Sequence, residues 1–342
     1  MIVENFPGRT ISIKGKKYLY FGGTAYLGLA THPEFQSILM KSIQKWGTFY
    51  GSSRNSNIKL AIYNQFEDFF AQQIGAEASL TVSSGTLAGR LVVDFLAKSN
   101  PAFFHYPKTH PAILAKESLP LFVNNRLHSQ LINNTSEEIV ITVDAILGSE
   151  VEPVSFDFLD TISASKKITL VVDESHSLGI VGKEGQGIFN DVNHKNIKRK
   201  IMVSSLGKAL SLSGGIIACD QQFIDALKEE STFVSSSAAN PAYLEAYCKG
   251  EQIYQSQKEK LSSNLNFIEE KLHQNETIKF NKNYPVIYSK DDHIYDKLFE
   301  ENIIITNFKY PTYKKMMNRI VITANHKQED LEKLVQTLNK KL

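Results

Sequence analysis

Asp173, His176 and Lys208 are the residues whose types and spacing are best suited to chemistry in this sequence. Asp173 ends the apolar run Ile168-Thr-Leu-Val-Val, His176 follows three residues later, and four glycines (Gly179, Gly182, Gly185, Gly187) come behind. A carboxylate at such a strand end can hold a proton on a pyridine nitrogen, and an imidazole one turn along can hydrogen-bond a phenolic oxygen. Those are the needs of pyridoxal 5'-phosphate (PLP), whose ring is then a strong electron sink. Lys208 stands 35 residues after Asp173, in the small-residue stretch "SSLGKALSLSGG". A lysine in a dry pocket loses its charge readily, as Schiff-base chemistry requires. Each residue also has a plain reading: a capping aspartate before a glycine-rich loop, or a surface lysine at a helix start. Their order and spacing are more specific than any one of them.

Four weaker signals accompany this set. In "LTVSSGTLAGRL" a strand runs into Ser84, Gly85 and Thr86 and then a helix, where free N–H groups and the Thr86 hydroxyl make an anion site; Ser84 reads equally well as an ordinary N-cap. Ser205, three residues before Lys208, carries a hydroxyl suited to a phosphate, and Gly214 and Gly215 allow close backbone approach. His110, just past a short strand, offers a flat ring for stacking, although a lone histidine is more often structural. Arg319 begins an apolar strand and presents a bidentate fork for a carboxylate; its plain alternative is a surface ion pair.

The elements that must position these residues are set by periodicity. Short β-branched runs at 79–83, 102–105, 138–143, 168–173, 200–205 and 214–219 alternate with helical patterns at 59–74 and 86–98. That alternation predicts an α/β fold, a mostly parallel sheet with helices on both faces. Beyond residue 221 the pattern changes to a helical stretch over 241–274, strands near 284–289, 303–308 and 319–324, and helices near 291–301 and 327–341. The division expected is an N-terminal arm (1–35), a large domain (36–225) and a smaller α+β C-terminal domain (226–342). The length of 342 residues suits such a two-domain chain.

Composition excludes several classes. Lys and Arg number 38 against 36 Asp and Glu, a net charge of +2 with no basic stripe, so no nucleic-acid partner is expected. The two cysteines, Cys219 and Cys248, have no metal-like spacing. The start "MIVENFPGRT" lacks a leader pattern, and no apolar run approaches the roughly 18 residues of a membrane span. The expectation is a cytoplasmic protein without metal.

Taken together, these motifs resemble the α-oxoamine synthase family of PLP enzymes, over nearly the whole chain. "TAYLGLATHPE", "YGSSRNSN", "DESHSLGIVGKEGQG", "SSLGKALSLSGG" and "RIVITANH" are each similar to a family segment in the right order. The resemblance implies the type I fold of PLP-dependent transferases, with a seven-stranded sheet. It implies that Lys208 carries PLP, Asp173 faces the pyridine nitrogen, His176 the phenolic oxygen, and His110 stacks on the ring. Gly85, Thr86 and Ser205 would sit near the phosphate, Ser236 or Ser237 near the phosphate of the neighbouring subunit in a homodimer, and Arg319 on the substrate carboxylate. The chain departs from the pattern at Thr24-Ala25, where the family has asparagine, at Ile58 and Tyr63, where it has glycine and histidine, and at Gly148, where it has serine. Ser149 is the neighbouring candidate for that serine.

The leading expectation is an acyl transfer from an acyl thioester such as acyl-CoA to an amino acid. An aminotransferase on the same scaffold is the alternative. A non-catalytic paralogue is a third, opposed by the intact Lys208, Asp173 and His176.

Overall fold

The computed structural model describes residues 1–273, 275–309 and 316–341; Leu342, the last residue of the expected C-terminal domain, lies outside them. Its centre is a seven-stranded sheet in the order Ala78–Val82, Gly215–Cys219, Ile197–Ser205, Lys166–Asp173, Glu137–Asp144, Ala102–His105, Leu119–Pro120. The last five are mutually parallel, and Gly215–Cys219 runs antiparallel to both its neighbours. Ala78–Val82 therefore points the same way as the parallel set. All six strands of that direction end on one edge, where Gly215–Cys219 begins.

The apolar run before Asp173 forms a strand covered on both faces. Leu170 and Val172 join a cluster with Phe104, Ile139 and Ile141, while Val171 turns into another with Leu80, Val140 and Ile201. Alternate side chains of one strand thus feed two cores, which is why the run shows no polar alternation. The helix Gly85–Ala97 packs Leu91, Val92 and Leu96 into the second of these.

A second sheet has six strands, in the order Thr10–Ile13, Lys16–Phe21, Ile303–Phe308, Met317–Val321, Tyr284–Ser289, Ile278–Asn281. Its first two form a hairpin through Lys14 and Gly15, both at positive φ, the twist that a two-residue turn needs. The expected arm is thereby stitched to the C-terminal part, through parallel pairing of Lys16–Phe21 with Ile303–Phe308. The helical stretch expected over 241–274 is two helices, Pro241–Lys249 and Glu251–Lys271, divided at Gly250. A Cβ there would lie 2.9 Å from the Ala246 carbonyl oxygen and 3.4 Å from Phe35, so the break sits where only glycine fits. The last helix, Gln328–Lys341, buries Leu331, Leu334, Val335 and Leu338 as its periodicity predicts.

Candidate active site

The common edge of the large sheet opens into a cavity of about 290 Å³. Strand ends in an α/β sheet deliver side chains to such a crevice because the chain leaves the core there. Its lining includes Gly85, Thr86, His110, Asp173, His176, Ser205, Lys208 and Arg319. Eight residues singled out from the sequence, spread over 235 positions from Gly85 to Arg319, are thus brought to one site.

Asp173 closes its strand with Oδ1 accepting from the Ser175 backbone N–H at 2.8 Å, and the Ser175 hydroxyl accepts from the Ser205 N–H at 2.8 Å. Those two bonds tie the turn after Asp173 to the strand that leads to Lys208. Glu174, fully buried beneath the turn, is pushed up to about 7 by burial. It accepts from the Ile188 N–H at 2.9 Å and from the Ser177 hydroxyl, pinning the glycine-rich loop. Burial also brings the Lys208 amine down to about 8, with Asp173 and Asp144 opposing the fall and Arg319 adding to it.

His110 is fixed at both ends. Its backbone N–H reaches Asp144 Oδ2 at 3.0 Å, and its Nδ1 accepts from the Ala112 N–H at 3.2 Å. Burial lowers its imidazole's proton affinity. His176 is lowered further, first by burial and then by the positive charges of Lys208, Arg319 and His110. Its Nδ1 lies 3.1 Å from the Tyr26 hydroxyl and 3.4 Å from that of Tyr284.

Ser84 is the N-cap that the sequence allowed, and it also stands at the cavity. Its hydroxyl caps the helix by accepting from the Leu87 N–H at 3.1 Å, and it lines the cavity. A Cβ on Gly85 would lie 2.7 Å from the Ser205 Cα, so a bare backbone is what lets the helix start approach Lys208's loop.

Arg319 enters from the second sheet, where it stands opposite Thr306 and Tyr288. It is only 8% exposed, donates to the Gly23 carbonyl at 3.1 Å, and leaves Nε without a partner. Among the described residues no carboxylate pairs with it. The Thr24-Ala25 segment adjoins this contact through Gly23, whose N–H donates to Thr306 Oγ1 at 3.1 Å, yet Ala25 does not line the cavity.

Gly148 lines the cavity, whereas Ser149 is outside its lining and accepts from Nζ of the cavity residue Lys108 at 3.0 Å. Ser236 and Ser237 lie outside the cavity, past the helix Ser231–Ser235, with the Ser236 hydroxyl bonded to the Phe233 carbonyl.

Sequence reasoning missed Asp144. It ends the strand Glu137–Asp144 in register with Asp173, and burial, then the neighbouring Asp173 charge, raise it well above the ordinary carboxylate range. The signal was present, since Ile139–Val143 is an apolar run ending in aspartate just as Ile168–Val172 is. It also missed Tyr26 and Tyr284, whose meeting is purely tertiary.

These residues fit PLP: an amine of lowered basicity for the aldehyde, a carboxylate for the pyridine nitrogen, a helix N-terminus for the phosphate, and a buried arginine with an unpartnered N–H for a substrate carboxylate. Among the described residues no cluster is arranged to hold a metal ion, and no helix is long and apolar enough to cross a membrane.

Known proteins agree. Residues 154–338 match the family described as aminotransferase class I and II. The chain belongs to that family and is a PLP-dependent transferase with the type I fold. Its likeness runs to the α-oxoamine synthase branch. It is 27% identical to an 8-amino-7-oxononanoate synthase of Petrotoga mobilis, covering 96% of this chain and 90% of the relative. It is 24% identical to one of Thermoanaerobacter pseudethanolicus, covering 99% and 91%. Among solved structures, a serine palmitoyltransferase of S. paucimobilis superposes with a TM-score of 0.81 at 14% identity, over 99% of this chain and 91% of that one. An 8-amino-7-oxononanoate synthase of Francisella tularensis gives 0.71 at 23% identity, over 95% and 97%.

Proposed function

We propose that this protein joins an amino acid to the acyl group of a thioester such as acyl-CoA, using PLP held by Lys208. The observation that carries the reading is the pairing, in one cavity, of a lysine amine brought down to about 8 with a buried arginine that no carboxylate among the described residues neutralises. The acyl-transfer half is supported by the full-length likeness to proteins named 8-amino-7-oxononanoate synthase.

PLP supplies an electron-withdrawing ring that stabilises negative charge on the carbon beside a bound amino group. Asp173 would keep a proton on the ring nitrogen, and the helix start at Gly85 and Thr86, with Ser205, would hold the phosphate. His110 would lie on the ring, and His176, kept neutral by its surroundings, would face the phenolic oxygen. Arg319 grips the substrate carboxylate and so orients the Cα–H bond. Lys208 Nζ, poised near neutral pH, takes the Cα proton; a base matched to the working pH transfers protons most effectively. Ala112, Phe308 and Met317 provide apolar lining beside these groups.

The active unit in this reading is a homodimer, with Ser236 and Ser237 reaching the partner's phosphate. The exposed Phe49, Ile58 and Val234 lie on the segments that flank this serine run, and Ser53 donates to the Val234 carbonyl at 2.8 Å. Light scattering should give twice the chain mass; a PLP-retaining monomer would overturn this part.

An aminotransferase uses the same lysine, aspartate and arginine without an acyl donor. A screen of amino acids with and without acyl thioesters, following PLP absorbance and thiol release, separates the two. Thiol release that requires both substrates is the expected result. Pyridoxamine phosphate formed from amino acid alone, with no thiol release under any pairing, would replace acyl transfer by amino transfer.

A further inference from the structure

We propose that Tyr26 and Tyr284 are positioning residues that fix His176 as the Nε2–H tautomer, so that this ring presents a hydrogen-bond donor to the occupant of the cavity. This deepens the proposed function, and rests on it for the identity of that occupant only.

Counting protons decides between the tautomers. Three polar atoms meet: Tyr26 Oη to His176 Nδ1 at 3.1 Å, Tyr284 Oη to the same nitrogen at 3.4 Å, and the two hydroxyls to each other at 3.3 Å. Tyr26 is 0% and Tyr284 2% exposed, and among the described residues these hydroxyls have no other hydrogen-bond partners. With Nδ1 bare, one hydroxyl donates to it and the other donates to the first hydroxyl. Every proton then has an acceptor. With a proton on Nδ1, the ring donates to one hydroxyl, that hydroxyl donates to the second, and the last O–H has nothing to bond. A buried donor left unpaired costs its full desolvation, so the protein favours the first arrangement.

Two other protonation states are closed off. A second proton on the ring would add a cation beside Lys208 and Arg319 in a desolvated place. Ionising either phenol is disfavoured by burial, which raises both groups. The proton is therefore left on Nε2. That nitrogen makes no hydrogen bond among the described residues, and its ring lines the cavity.

The three residues come from the N-terminal segment, the large sheet's edge and the second sheet. The tautomer is thus set only when the parts of the chain are assembled, and a sequence pattern at His176 alone does not contain it.

The test is long-range ¹H–¹⁵N correlation NMR of histidine-labelled protein, free of PLP, with the His176 signals assigned by His176→Gln. Wild type should show the Nε2–H pattern from about pH 6 to pH 9. Tyr26→Phe and Tyr284→Phe should each retain it, because either hydroxyl alone can donate to Nδ1. The double variant should lose the preference and show a mixture or the Nδ1–H form. An Nδ1–H ring in wild type, or an unchanged Nε2–H pattern in the folded double variant, would overturn the proposal; the wild-type spectrum decides even where the double variant does not fold. Because no cofactor is present, this result stands apart from whether PLP or an acyl donor is used; failure of PLP uptake would sink the functional reading and leave the tautomer assignment intact.

Discussion

Two largely enclosed arginines show how differently this chain treats charge. Arg54 is half-buried with only 10% of its side chain exposed, and Arg319 is buried, 8% exposed as a residue. Arg54 is neutralised: it pairs through both Nη atoms with Glu67, donates to Thr81 Oγ1 at 3.0 Å, and lies 4.2 Å over the Tyr63 ring. Glu67 in turn accepts from the Thr81 N–H at 2.7 Å. Arg319 has a carbonyl, a tyrosine hydroxyl and an idle Nε, and no carboxylate among the described residues. A buried cation without a counter-ion is costly to fold, so its presence in a cavity supports the proposed carboxylate site. Arg54 is tied into the fold by its ion pair, and Arg319 is the one proposed to meet a ligand.

The largest effect should come from breaking the Arg54–Glu67 pair. Arg54→Ala leaves Glu67 buried without its partner, and such losses run to about 3–5 kcal/mol. Urea denaturation should show that destabilisation. A loss under about 1 kcal/mol would mean the pair is dispensable and would erase the contrast.

Arg319→Ala should do the reverse. Stability should change by less than about 1 kcal/mol, within the range of an ordinary substitution, because no ion pair is broken. Amino-acid binding to the PLP-loaded protein should weaken at least about a hundredfold, roughly 2.7 kcal/mol. Arg319→Lys should recover only part, since a point charge lacks the planar fork. Titration of the cofactor's absorbance with the best amino acid from the screen measures this; undiminished binding in Arg319→Ala would place the carboxylate elsewhere.

How far the sequence carried this picture depends on which residues are local in their logic. Asp173, Lys208 and Ser84 announce themselves because a buried strand must stop where its apolar run stops, and the residues just beyond it lie at the open edge. The strands at 168–173 and 200–205 were readable for the same reason, extended in the fold to Lys166–Asp173 and Ile197–Ser205. Thr10–Ile13 and Ile278–Asn281 escaped notice because they are four-residue edge strands whose residues alternate in burial with no long apolar run. Asp144 escaped although its signal equalled that of Asp173. Its weight comes from the in-register pairing of two strand ends, and pairing between strands is not written along either one. The Tyr26–His176–Tyr284 meeting joins positions 258 residues apart and has no local signature.

The smallest effect, and the finest test of the contrast, is the pH dependence of PLP uptake by cofactor-free protein. The attack on the aldehyde needs a neutral amine. Lys208 stands at about 8 against an ordinary 10.5, because burial disfavours its charged form and Arg319 repels it, while Asp173 and Asp144 pull the other way. Protonation of a group lowered on folding is harder in the folded protein, so the amine is neutral from about pH 8 upward and protonated below it. The uptake rate should climb about tenfold per pH unit below 8, as the neutral fraction does, and level off above it. An inflection near 10 would mean that Lys208 is solvated and would remove the basis for its role as a base near neutrality. The two arginines then separate once more. Removing Arg319 takes away a neighbouring cation, so the inflection in Arg319→Ala should move upward, by less than about one unit, or about 1.4 kcal/mol. Arg54 does not act on Lys208 and should leave the inflection of the folded Arg54→Ala protein where it stands in wild type. Equal shifts in both variants would show that the cavity senses general loosening of the fold and not the one charge left open within it.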